Sequence, residues 1–198
     1  MTVLEAPPAP GALVRDPSAL PPLQIGRHTI TSPVVLAPMA GITNRAFRRL
    51  CRQYGDDGSV AAGASGATSL YVSEMITSRA LVERVPLTMK LIETDPDENP
   101  RSIQLYCTDP LNAGKAARIL ASEGRADHID LNFGCPVPKV TRKGGGSALP
   151  WKTELFRGIV SAVVREASPY DIPVTVKMRK GIDTDHLTYL EAARIAEG

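Results

Sequence analysis

The sequence is short of the residues that would commit it to several common classes. Its three cysteines, Cys51, Cys107 and Cys135, are odd in number and scattered, which argues against a disulfide framework and against the close pairing of a metal knuckle. His28, His128 and His186 share no ligand spacing, so no metal is assigned. No run approaches the roughly 18 consecutive apolar residues that a membrane-spanning helix needs, and no membrane partner is expected. Met1 to Pro22 carries Glu5, Arg15, Asp16 and many prolines where a secretory signal would have an unbroken apolar core. A formal charge of only +2 neither requires nor excludes a nucleic-acid partner, so that question turns on where the charges sit. A reducing cytoplasm is the expected home.

What is present suffices for one domain with a sizeable core: 198 residues, 43% of them hydrophobic and 22% charged. Residues 1–22, rich in proline and alanine, read as a flexible tail, and folding is expected to begin near Leu23. Short apolar runs at Val34 to Ala37, Leu70 to Ser73, Ser102 to Tyr106, Ile129 to Asn132 and Val174 to Lys177 read as strands. Helical periodicity lies between them. Over Asn44 to Tyr54, the residues Phe47, Leu50, Cys51 and Tyr54 fall at helical spacing and are expected to face the core. Arg45, Arg48, Arg49 and Arg52 make a second stripe, either a solvated face or a grip for phosphates. Asp109 to Glu123, Trp151 to Ala167 and Leu187 to Glu197 are further helices. Residues 56–69, dominated by Gly, Ala and Ser, read as a mobile insertion.

Strand and helix in alternation mean parallel strands joined by right-handed crossovers. Two architectures remain, a doubly wound sheet and a (β/α)8 barrel. The expected strands end in Ala37-Pro38-Met39-Ala40, Glu74, Gln104, Asn132 and Lys177, and a barrel gathers its functional groups at those ends. No Gly-x-Gly-x-x-Gly turn follows the first strand, as a dinucleotide-binding sheet would require. The expected fold class is therefore α/β, a (β/α)8 TIM barrel. A complete barrel takes about 250 residues, so about the first five strand-helix units are present, with open parallel edges that invite a partner.

The richest segment is Ile129-Asp130-Leu131-Asn132-Phe133-Gly134-Cys135-Pro136, followed by Lys139, Arg142, Lys143 and Gly144-Gly145-Gly146-Ser147-Ala148-Leu149. A strand ends there and presents an amide, a thiol and a basic glycine-rich loop. With a reference pKa near ~8.5 a thiol is protonated at neutral pH, so Cys135 can act as a proton donor or as a nucleophile. The other thiols have plainer readings, Cys51 as core and Cys107 as packing. Gly144 to Gly146 fit either a phosphate cradle or simple flexibility.

Asn132-x-Gly-Cys135-Pro with Lys139 and the Gly-Ser-Ala-Leu run downstream resembles the signature of the bacterial tRNA-dihydrouridine synthases. Ala37-Pro-Met-Ala-Gly-Ile-Thr-Asn44, Ser73-Glu74-Met75, Ile103-Gln104-Leu105 and Val174-Thr-Val-Lys177-Met-Arg179 are similar to that family's other motifs, in the same order. The resemblance runs from about Leu23 to the end. It implies an FMN across the barrel mouth, NADPH or NADH as its reductant, and tRNA as substrate. The reaction implied is reduction of the C5–C6 double bond of a uridine, with hydride going from flavin to C6 and a proton from Cys135 to C5. On the same resemblance Pro38, Met39 and Ala40 line the isoalloxazine ring, and Gln104 and Lys177 meet its polar edge. Asn132 holds the base or the flavin, and Arg179 faces the uracil. A uridine stacked in folded RNA must be turned outward to reach such a pocket, so Lys139, Arg142 and Lys143 are expected to grip the phosphate backbone.

The family's later strands, which would hold the FMN phosphate, and its helical tRNA-binding domain have no counterpart here. The chain therefore also fits a truncated, non-catalytic remnant, or one part of a split enzyme completed by a second chain or a C-terminal portion. Another FMN-dependent barrel oxidoreductase, such as a dihydroorotate dehydrogenase or an ene-reductase, is the alternative within enzymes. Glu74 is expected to be a structural hydrogen-bonding partner at the mouth.

Overall fold

The computed structural model describes residues 21–32, 34–61 and 68–198, with Ser59 described by its backbone alone. The expected tail lies outside these residues apart from its last two positions, as does 62–67 of the expected insertion. Residues 56–61 depart from expectation, since they continue α1, which runs Arg45–Ala61.

An antiparallel hairpin comes first, β1 Leu23–Ile25 and β2 His28–Ile30. Gly26 turns it at a positive φ of 55°, a conformation that costs glycine nothing. The parallel strands follow: β3 Val35–Leu36, β4 Leu70–Tyr71, β5 Ile76–Thr77, β6 Ser102–Tyr106, β7 His128–Phe133 and β8 Val174–Met178. β3 pairs with β4, and β5, β6, β7 and β8 pair in that order. A bridge between Val72 and Ser102 joins the two sets, so β4 and β5 form one strand with an interruption. Val72 opposes Ser102 and Ile76 opposes Leu105, which leaves one more residue on the first strand than on its neighbour over this interval. The result is a bulge at Ser73 to Met75. The architecture is α/β with five parallel strand positions in barrel order, the opening portion of a (β/α)8 barrel.

Three strands sort their side chains by parity. Ile103, Leu105, Ile129, Leu131 and Phe133 are buried against the helices, whereas Ser102, Gln104, His128, Asp130, Asn132, Thr175 and Lys177 lie on the opposite face. Barrel interiors are ordinarily filled by branched apolar residues. Here the inner face is polar and the outer face carries the hydrophobic core.

The helices that cover the outer face follow from local chemistry. α4, Pro110–Ser122, starts at Asp109, whose carboxylate accepts a hydrogen bond from Asn112 N at 2.8 Å, with Pro110 at the first helical position. Its inner side is small, with Ala113, Gly114, Ala116 and Ala117. α6, Thr153–Ala167, can therefore approach closely enough that a Cβ on Gly114 would meet the Ala162 carbonyl oxygen at 3.5 Å. Phe156 of α6 meets Phe133 edge to face at 4.6 Å between ring centroids, a geometry that suits the ring quadrupoles. α7, Tyr189–Glu197, packs on the other side of α6. Short helices α2 Ser78–Val82, α3 Pro86–Leu91 and α5 Pro138–Thr141 fill the connections. Among the described residues no helix is long and apolar enough to cross a membrane.

α1 is turned opposite to expectation. Arg48 is fully buried, and Arg52 nearly so, while Phe47, Leu50 and Tyr54 are exposed and Cys51 is half-buried. The reason lies 43 to 50 residues along the chain. Arg48 Nε donates to Glu98 Oε1 at 2.5 Å, and its Nη1 and Nη2 donate to the Thr43 and Glu93 carbonyls at 3.0 and 3.1 Å. Arg52 meets Asp97 at 3.1 Å and Glu98 at 3.3 Å, and Arg45 meets Asp95 at 2.5 Å. Arg48 and Arg52 are neither a solvated face nor a phosphate grip, while Arg45 is half exposed beside Asp95 and Arg49 stays exposed, as the solvated reading expects. Arg45, Arg48 and Arg52 are counterions of the acidic run 93–98.

Candidate active site

A cavity of about 670 Å3 opens at the C-terminal ends of the parallel strands. Pro38 and Ala40 line one wall, Gln104 and Asn132 the floor, and Lys177 and Arg179 the far side. Cys135, half-buried, lines it between Asn132 and Lys139. Met75, which was not anticipated, also reaches it. Of the expected site residues, Met39, Arg142 and Lys143 do not line the cavity. Met39 is exposed, and Arg142 and Lys143 are exposed after α5.

The loop that carries Pro38 and Ala40 is held from behind. Glu74, in the bulge, accepts a hydrogen bond from Gly41 N at 2.8 Å, and its own N–H donates to the Thr43 carbonyl at 3.2 Å. The Thr43 hydroxyl accepts from Met39 N at 3.0 Å. Glu74 is buried and performs the structural role expected of it.

Under the cavity runs a chain of hydrogen bonds with one direction on each side of Asp130. Gly134 N and Cys135 N donate to Asn132 Oδ1 at 3.1 and 3.0 Å. Asn132 Nδ2 donates to Gln104 Oε1 at 3.0 Å, and Gln104 Nε2 donates to Asp130 Oδ2 at 2.6 Å. From the other side the Thr175 hydroxyl donates to Asp130 Oδ1 at 2.7 Å. That hydroxyl has one hydrogen, so with Asp130 ionised it accepts from His128 Nε2–H at 2.9 Å, and the bare His128 Nδ1 accepts from Ser102 Oγ at 2.7 Å. Burial pushes the Asp130 carboxyl up, against hydrogen bonds from Thr175 and Gln104 and the positive charge of Lys177. Burial likewise lowers His128 to about 4, helped by the charge of His28, so the imidazole is neutral at pH 7.

This arrangement changes what Asn132 can do. Its amide oxygen accepts twice, and its nitrogen reaches both Gln104 and, at 3.5 Å, Met75 Sδ. A direct contact to a base would require one of these bonds to be given up. Asn132 fixes the backbone that presents Cys135. Sequence reasoning missed Asp130, Thr175 and His128, although one signal was there: three polar residues at alternate positions of an otherwise apolar strand, His128, Asp130 and Asn132.

The glycine run is neither a free cradle nor a floppy hinge. Ser147 N donates to the Cys135 carbonyl at 3.0 Å, and Gly146 sits at φ 56° where a Cβ would collide with that same carbonyl. A Cβ on Gly145 would strike the Tyr106 ring. Both glycines are buried, and their missing side chains allow the loop to close over Cys135. The other thiols stand apart from the cavity lining. Cys107 is fully buried, and burial pushes it up to about 12, so it has no thiolate chemistry near neutral pH.

The cavity suits a planar aromatic ring system with one polar edge. Its size falls within the range of about 300–1,000 Å3 for small-molecule sites, its near wall is apolar at Pro38, Ala40 and Met75, and Lys177 stands on the far side as a cation. A flavin ring fits this set of residues.

Comparison with known proteins agrees. The dihydrouridine synthase family model matches residues 35–198. The chain belongs to the dihydrouridine synthase family. It is 59% identical over 177 residues to a probable tRNA-dihydrouridine synthase of Mycobacterium tuberculosis, covering 89% of this chain and 44% of that protein. It is 52% identical to a protein of the same description from Mycobacterium leprae, covering 82% of this chain and 46% of the relative. To the tRNA-dihydrouridine synthase B of Pseudomonas aeruginosa it is 37% identical over 175 residues, covering 88% and 48%. The chain thus spans about half the length of the curated relatives it matches.

Proposed function

We propose that this dihydrouridine synthase chain supplies the uridine-reducing side of a flavin-dependent reaction on tRNA, in the cytoplasm. The carrying observation is the convergence of Cys135, Gln104, Lys177 and Arg179 on one cavity at the strand ends. Pro38 and Ala40 would hold the flavin ring, with Gln104 and Lys177 at its polar edge. Bound FMN, recharged by NADPH or NADH, would supply the hydride that goes to C6 of the uracil.

The chain's own residues do the rest. Cys135 gives its Sγ proton to C5 from the opposite side of the uracil ring, so the thiol is the general acid. Its backbone is fixed by Asn132 and by Ser147, which holds the acid at a constant place above the cavity floor. Arg179 faces the carbonyl edge of the uracil. Lys177 would place a positive charge beside the polar edge of the flavin, whose reduced form is anionic. Asp130 aligns the Gln104 amide by accepting from its nitrogen, which turns the Gln104 oxygen toward Asn132. Lys139, Arg142 and Lys143 line the approach and hold RNA phosphates.

The test is Cys135→Ala in an enzyme that carries this chain together with the length its relatives add. NADPH should still reduce bound flavin, while dihydrouridine formation in an unmodified tRNA transcript falls by about 100-fold or more. Undiminished dihydrouridine would remove Cys135 from the mechanism. Cys135→Ser should be intermediate at best, since a hydroxyl is the poorer acid. Reversing the charge at Lys139 and Lys143 should weaken tRNA binding and flatten its salt dependence; no change would place the grip elsewhere. A purified protein that releases no flavin would favour the remnant reading over the enzyme.

A further inference from the structure

Trp151 is the sole tryptophan of the chain, and 56% of it is exposed. It ends the 3-10 helix Gly146–Trp151, which begins against the Cys135 loop, and α6 starts two residues later.

The indole is braced. Its ring meets the His186 imidazole at 5.1 Å between centroids and 72° between planes. His186 is fixed in turn by Asp183, whose Oδ1 lies 2.6 Å from His186 Nδ1 and accepts from His186 N at 2.9 Å. A bridge between Gly181 and Leu187 closes that turn. Two consecutive loops of the barrel mouth, after β7 and after β8, therefore meet at one aromatic pair. Charge around it is mainly positive. Lys152 extends over Gly144, Arg142 and Lys143 are exposed on the same loop, and Arg179 and Lys180 precede the turn. Of the nearby acids Asp183 is committed to His186, while Glu154 and Asp185 are solvated.

We propose that Trp151, braced by His186, is a stacking platform for an unpaired base of the RNA beside the uridine that enters the cavity. The proposal rests on the tRNA reading above and specifies a contact that reading does not contain. Turning one nucleotide out of a stack leaves its neighbour with an uncovered face, and an exposed indole replaces the lost stacking without regard to base identity. Ser147 bonds to the Cys135 carbonyl, and four residues of 3-10 helix advance about 8 Å, which puts Trp151 within reach of a nucleotide adjoining the one over Cys135.

Because no other tryptophan is present, emission from the full 198-residue chain reports this contact directly. Titration with an unmodified tRNA transcript should quench Trp151 emission in parallel with retention in a filter-binding assay. Trp151→Phe should bind with nearly unchanged affinity, whereas Trp151→Ala should bind about tenfold more weakly with the same salt slope. Circular dichroism of each variant shows that the fold is retained. Tight tRNA binding with unmoved emission, or Trp151→Ala binding as well as the parent, overturns the platform and leaves the tRNA reading standing. Emission that changes with protein concentration in the absence of RNA assigns the surface to a protein contact and also overturns it. A chain that binds no tRNA overturns the platform, while the functional reading is judged separately on the longer enzyme that carries Cys135→Ala.

Discussion

α1 and α6 are both amphipathic and of similar length, yet they turn opposite kinds of face inward. α6 buries Phe156, Ile159, Val160 and Val163 between α4 and the sheet. α1 buries Arg48 and Arg52 against an acidic loop and leaves Phe47, Leu50 and Tyr54 outside. Periodicity reveals that a helix has two faces. What decides which one goes in is the surface waiting for it, and for α1 that surface is the run Glu93-Thr94-Asp95-Pro96-Asp97-Glu98.

The sharpest way to break this contrast is to remove one member of each interior. Arg48→Ala leaves buried Glu98 with only the 3.3 Å contact to Arg52 as an ion pair and should cost about 3–5 kcal/mol in urea unfolding; a loss under ~1 kcal/mol would mean that Arg52 or water satisfies the carboxylate. Phe156→Ala should cost a similar ~3–5 kcal/mol by a different route, a cavity beside Phe133. Next comes acid sensitivity in the polar barrel interior. His128 has its folded value lowered from 6.5 to about 4, so the unfolded chain binds a proton first as pH falls. The contribution of the neutral imidazole is complete above pH 6.5 and is lost on descending to about 4, by up to ~3 kcal/mol. The unfolding free energy of the parent should therefore drop more over that window than that of His128→Asn; equal slopes would mean the imidazole is already protonated in the fold. Asp130 opposes this, because its raised value favours the folded state at low pH, so the comparison with His128→Asn is the informative one.

A smaller effect is expected from replacing the whole pair. Arg48→Met with Glu98→Leu should land within about 1–2 kcal/mol of the parent or above it, in contrast with either single change. Last, Tyr54→Ser on the outward face of α1 should stay within ~0.5 kcal/mol. A loss of the size seen for Phe156→Ala would show that this face is covered in solution.

The parts legible in the sequence were those governed by neighbours in the chain. β6, β7 and β8 fell close to expectation because apolar residues alternate there with polar ones, and α4 announced itself through Asp109 and Pro110. The cavity residues Pro38, Ala40, Gln104, Asn132 and Lys177 were expected from their places at strand ends and Cys135 from its place at a strand exit, whereas Lys139 came from the basic loop and Arg179 from the family resemblance. Illegible features depend on pairing across distance. The orientation of α1 needed acids 43 to 50 residues away, and the bulge at Ser73 to Met75 exists only relative to β6. The roles of Asp130 and Thr175 required knowing that Gln104, Asp130 and Thr175 stand side by side in the sheet. The hairpin β1–β2 is three residues a side and mostly exposed, too short to leave a periodic mark.

The surplus residue in the second barrel strand has a wider effect than its size suggests. Ser73 accepts from Gln104 N at 3.0 Å toward the cavity floor, and adjacent Glu74 reaches the other way to Gly41. The bulge sets a residue that holds the floor directly beside one that holds the near wall. Shortening this stretch by a single position would uncouple those two surfaces, leaving each intact and the gap between them unregulated.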